Sequence, residues 1–114
     1  MMKYYAIIIL LTFTNLSYAG YGGGEINRFY TGADGSAYFG LVTQLPNTCR
    51  YWEEQFKFDA STAAGKNMLS VLMAAKLANK RVYVWYSDSS NPGTDQTNGC
   101  TGNAVSNLLN IGIK

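Results

Sequence analysis

Beyond residue 24, apolar and polar positions alternate with a period of two on either side of a central segment with a helical period. Glu25 to Tyr30 reads as a strand, and Thr31 to Gly35 is a turn cluster in which Asp34-Gly35 suits positive φ at a hairpin. Ala37 to Val42, rich in Tyr38, Phe39, Leu41 and Val42, is the returning strand. Gln55 to Asp59 then alternates, with Phe56 and Phe58 on one face and Gln55 and Lys57 on the other, as in a half-buried strand.

The period then changes to that of a helix, opened by Ser61 or Thr62 as cap and running to about Asn79. Met68, Val71, Leu72 and Ala75, with Ala64 one turn earlier, form one apolar stripe; Leu69, Met73 and Leu77 form a second beside it, bordered by Lys66, Lys76 and Lys80. A single core needs one stripe from its covering helix. The second is either buried more deeply or packed on another copy of the chain, so Leu69, Met73 and Leu77 are candidate oligomer-interface residues.

Val82, Val84 and Tyr86 alternate with Tyr83 and Trp85, giving a fourth strand that is apolar or aromatic on both faces. Ser87 to Gly102 is a long polar loop, and Ala104 to Ile113 a final strand that opens on a short helical turn. The predicted order, β-β-β-α-β-β, describes a mainly β fold with one helix. It is the order of a five-stranded, OB-fold-like Greek-key barrel.

The first nineteen residues belong to another pattern. Lys3 precedes an apolar stretch from Tyr4 to Phe13, followed by a polar exit with small residues at Ser17 and Ala19. This predicts a signal peptide over 1–19, cleaved after Ala19, and hence an exported protein, periplasmic or secreted. An apolar core of about ten residues is half of what a spanning helix needs, so no membrane anchor is expected in the mature form. Gly20 to Gly24 is glycine-rich enough to predict a flexible leader. Residues 25–114 then make a single domain.

Export changes the reading of the cysteines. Cys49 and Cys100 are the two in the chain, and an even count in an oxidising compartment predicts a disulfide. It would tie the loop before the third strand to the loop after the fourth.

Charge excludes more than it suggests. Without Lys3, eight basic residues face seven acidic ones, a balance near +1 that is too small and too spread to favour nucleic acid as partner. The chain has no histidine, which removes the commonest general base and metal ligand and rules out Ser-His-Asp and Cys-His systems. Two cysteines make no zinc site. The Asp88 to Gly99 segment is no calcium loop, with Pro92 at a ligand position and Gly99 where the bidentate glutamate belongs. Adjacent Glu53 and Glu54 read as solvated charges. No catalytic residue, metal site or cofactor is expected.

What remains is an aromatic surplus. Tyr30, Tyr38, Tyr51, Trp52, Tyr83, Trp85 and Tyr86 exceed what so small a core can hide. Sugars stack on aromatic faces through their C–H surfaces while nearby polar groups satisfy their hydroxyls. Tyr30, Tyr83, Trp85 and Tyr86 are therefore candidate ligand residues.

Short matches point the same way. Ile26-Asn-Arg-Phe-Tyr-Thr-Gly32 with Ala37-Tyr-Phe39, then Val82-Tyr-Val-Trp-Tyr86 and Thr101-Gly-Asn-Ala-Val105, resemble segments of the subtilase cytotoxin and typhoid toxin binding subunits. The chain is also similar to a looser set of small exported proteobacterial proteins with no assigned role. The toxin resemblance implies an OB-fold subunit in a ring of five whose helices line a central pore. It further implies a surface pocket for sialylated glycans and a separate catalytic subunit docked on the ring. Tyr86 matches a tyrosine of the family's pocket; Gly22 stands where the family has a serine and Gly40 where it has a cysteine. The expected function is a non-catalytic module binding a carbohydrate or glycoprotein receptor. The alternative is a monomeric periplasmic structural or interaction protein of the same fold with no sugar pocket.

Overall fold

The computed structural model describes residues 20–114, so the expected signal peptide lies outside the described residues. Five strands and one helix follow in the order β1 (Gly20–Thr31), β2 (Ser36–Leu41), β3 (Phe56–Asp59), α1 (Ala63–Leu77), β4 (Arg81–Tyr86) and β5 (Ser106–Ile113). The strands hydrogen-bond in a closed ring, β1-β2-β3-β5-β4 and back to β1. The fold is mainly β with one helix, as the alternation predicts.

β1 closes the ring by serving two partners. Gly20 to Glu25 lie antiparallel to β4, from Gly20 opposite Tyr86 to Glu25 opposite Arg81. From Ile26, opposite Leu41, to Thr31, opposite Ala37, the same strand pairs with β2, with a register shift between Ile26 and Arg28. Such a shift bends the strand. The expected flexible leader over 20–24 is thus corrected: these glycines are strand. Their reason is space, since a Cβ at Gly20 would stand 2.4 Å from the Tyr86 ring and one at Gly22 2.8 Å from the Leu45 side chain. Two bulky side chains occupy the room the glycines leave.

β2 and β3 pair antiparallel, β4 and β5 likewise, and the ring is completed by a short parallel contact of Phe56 with Ser106 and Lys57 with Asn107. Inside, Phe39 and Phe56 approach to 5.1 Å between ring centres, as do Phe56 and Tyr86. Val82, Val84, Leu41 and Leu72 are fully buried around them.

α1 lies across this core. Thr62 caps it, its hydroxyl accepting from Gly65 N at 2.9 Å, while Ser61 turns back onto Asp59. The helix ends at Leu77, and Asn79 beyond the cap takes a left-handed φ of 58°. Leu72 and Ala75 are buried, and Met68 and Leu69 pack against the same core.

A smaller apolar cluster sits under the loops. Cys49 and Cys100 form the predicted disulfide, with Cα atoms 5.4 Å apart, among Ala104, Val105 and Tyr51. Gln55 departs from its expected solvent-facing position: it is fully buried beneath the 42–54 loop. Its amide satisfies that loop's backbone, accepting from Leu45 N at 3.0 Å and donating to Leu41 O at 3.2 Å.

Candidate functional site

β4 presents alternate residues outward, and Tyr83 and Trp85 stand on the outer face of the ring. Each has a β1 residue directly opposite: Gly23 faces Tyr83, and Tyr21 faces Trp85. Tyr21 and Trp85 have ring centres 4.9 Å apart, Tyr83 and Trp85 5.3 Å, and Tyr21 and Tyr83 6.2 Å. The three rings are mutually tilted, the favourable arrangement for their quadrupoles. Tyr21 is 59% exposed.

Glycine flanks the middle ring on both sides. Across β5, Tyr83 opposes Gly112, and a Cβ there would meet the ring edge at 3.1 Å. With Gly23 on the other side, the Tyr83 ring borders an open groove of about 630 Å³ lined also by Tyr21, Arg81, Ile113 and Lys114. Arg81 and Lys114 bring two cationic donors to an aromatic wall. The groove can stack a flat apolar face and supply hydroxyl, guanidinium and ammonium groups around it.

No family model, curated protein or solved structure matches the chain.

Of the four expected ligand residues, Tyr83 and Trp85 come together on this face. Tyr86 does not: it points inward and is 1% exposed, and its hydroxyl donates to Pro46 O at 2.7 Å. Burial raises its pKa above the ordinary tyrosine value, with Asp88 adding to the shift. The correction follows from strand parity, because Tyr86 shares its side of β4 with Val82 and Val84. Tyr30 lies elsewhere, on the half of β1 that pairs with β2, stacked on Tyr38 at 5.3 Å. Tyr21, absent from the expected set, was hidden in a run that reads as a glycine linker. The signal that could have found it is the period of two: Gly20, Gly22, Gly24 and Ile26 face in, and Tyr21 faces out.

Glu54 is a second correction. It is 4% exposed and not a solvated charge. Loss of solvation lifts its carboxyl above the ordinary value, against the lowering effects of Tyr30 and Arg28. Glu53 is exposed and accepts from Asn27 at 2.9 Å.

The candidate interface residues also separate. Leu69 packs on the core, whereas Met73 is 44% and Leu77 85% exposed. Among the described residues, no group of three or more His, Cys, Asp or Glu could hold a metal, and no helix is long and apolar enough to cross a membrane.

Proposed function

We propose that this chain is an exported, non-catalytic binding module of OB-fold, Greek-key barrel type that holds a carbohydrate or glycoprotein receptor in the groove lined by Tyr21 and Tyr83, beside Trp85. The observation that carries the reading is the three-ring cluster beside a groove that Tyr21, Gly23 and Tyr83 line and Arg81 and Lys114 border. Aromatic wall and cationic rim together suit an acidic sugar, whose ring stacks while its carboxylate meets the guanidinium. The Cys49–Cys100 disulfide is compatible with export.

In this reading the protein acts as a homo-oligomer, a pentamer of the toxin binding-subunit kind, able to carry a separate catalytic subunit. Met73 and Leu77 on the outer side of α1 supply apolar surface for such an interface.

A glycan array with purified mature protein tests the groove. Tyr83→Ala and Trp85→Ala are expected to abolish the wild-type signals from acidic glycans, and Tyr30→Ala to leave those signals. Wild-type protein that binds no glycan sinks the reading.

The second reading, a monomeric periplasmic interaction protein, is favoured by one specific observation. Tyr86 and Leu69, counted toward the apolar surplus, are absorbed by the protomer's own core.

A further inference from the structure

Across the ring from the Tyr83 groove, the pairing registers line up a second row of side chains. Tyr30 on β1 is opposite Tyr38 on β2, Tyr38 is opposite Lys57 on β3, and Lys57 is opposite Asn107 on β5. Directly opposed residues of neighbouring strands share one face of a sheet. A groove of about 260 Å³ lies along this row, lined by Ser36, Tyr38, Lys57, Phe58, Asp59 and Asn107.

The row is held in place from behind. Tyr30 stacks on Tyr38 with planes 24° apart, and Arg28 sits 5.7 Å from the centre of the Tyr30 ring. Arg28 is itself anchored, donating to Trp52 O at 3.3 Å. At the other end, Asn107 is fixed through its backbone by Ser87, with bonds of 3.0 and 3.1 Å, which leaves its side-chain amide to the groove. Asp59 is oriented by the Ser61 amide at 2.9 Å. A ligand meets a platform already ordered, so little side-chain freedom is lost on binding.

We infer that this groove is a second carbohydrate site, taking a single uncharged sugar ring on Tyr38. Its polar lining is one ammonium, one carboxylate, two hydroxyls and one amide, which match a ring of hydroxyls without favouring net charge. Its volume falls below the range of about 300–1,000 Å³ typical of drug-sized pockets, room for one ring and not a chain. The site shares a ligand class with the proposed function but none of its residues.

The test is an amide chemical-shift titration of ¹⁵N-labelled mature protein. The probes are the methyl glycosides of glucose, galactose, mannose, N-acetylglucosamine and glucuronic acid, each at millimolar concentration. Saturable shifts at Ser36, Tyr38, Lys57 and Asn107 are expected with at least one neutral glycoside, and weaker ones with the glucuronide. Tyr38→Ala should weaken binding about tenfold, the loss of one good stacking contact, and leave shifts at Gly23 and Gly112 unaltered. Should Tyr38→Ala unfold, Lys57→Ala and Asn107→Ala, each weakening binding about threefold, carry the same test. Shifts confined to Gly23, Tyr83 and Gly112 overturn the second site and leave the proposed function standing. Shifts confined to the Tyr38 row do the reverse, and no saturable shift with any of the five overturns both.

Discussion

Trp52 and Glu53 occupy the left-handed region, at φ 53° and 70°, in a tight turn closed by Tyr51 N to Glu54 O at 2.9 Å and Glu54 N to Tyr51 O at 3.0 Å. Two consecutive non-glycine residues there cost about 1–2 kcal/mol each. The turn persists because it lies directly on β2: a Cβ at Gly40 would fall 1.8 Å from Glu53 O. Gly40→Ala is therefore expected to destabilise by about 3 kcal/mol, read as a lower urea midpoint. A variant within about 0.5 kcal/mol of wild type would show that the turn moves freely. Glu54, in the same turn, gives a pH prediction. Its folded-state pKa is raised from 4.5, so above that value the folded chain holds a proton the unfolded chain has released. Stability then falls as pH rises from 4.5 through the folded value and is level beyond it. Glu54→Gln removes that slope, so its urea midpoint should be flat across the window and at neutral pH match or exceed wild type. Parallel curves for the two proteins would refute the assignment. Asp59 and Asp95, both lowered by bonds to Ser61 and Thr97, act in a separate window, losing their contribution as pH falls below 3.8.

Strands, helix and disulfide were largely legible as elements because each rests on local periodicity or on a count. The period-two runs of Phe56–Phe58 and Val82–Tyr86 and the helical spacing of Met68–Leu72–Ala75 mark their own buried faces. What did not read from sequence depends on distant partners. The glycines of β1 look like a linker until Tyr86 and Leu45 are placed opposite them, and Gln55 looks exposed until the 42–54 loop covers it. The candidate site was half legible for the same reason: Tyr83 and Trp85 followed from the aromatic surplus, Tyr21 did not, and Tyr86, counted with them, has the parity of the core. The helix allows a direct comparison at this scale. Leu72→Ala removes a fully buried side chain and should cost about 2–5 kcal/mol, whereas Leu77→Ala, at 85% exposure, should change the urea midpoint by less than about 0.5 kcal/mol. The disulfide closes a span of 51 residues, for which loop-closure entropy predicts about 4 kcal/mol. Cys49→Ser with Cys100→Ser should lose stability of that order. Hydrogen-exchange protection should fall first at Arg50, Ser89 and Gly93, whose amides bond across the tied loops.

At the scale of the molecule, the two readings of function part over what covers the outer side of α1. Met73 and Leu77 are one turn apart, with Lys66 and Ser70 continuing the same side and Lys76 turned away to donate to Ile26 O at 3.3 Å. Singly exposed apolar side chains are ordinary on a protein surface, so the exposure of Leu77 alone decides nothing. The pair acquires meaning only if a second copy of the chain buries it. Light scattering on size-fractionated mature protein at micromolar concentration should then give a multiple of the protomer mass. Leu77→Lys places a charge in that contact and should return the mass to one protomer. Because Leu77 contributes little to the protomer's own core, the urea midpoint of the dissociated variant should stay close to that of a wild-type protomer at high dilution. A wild-type protein that elutes as a monomer removes the ring and any subunit docked upon it. The Tyr83 groove could then act only as a single, weak site, since avidity from repeated sites is lost with the ring.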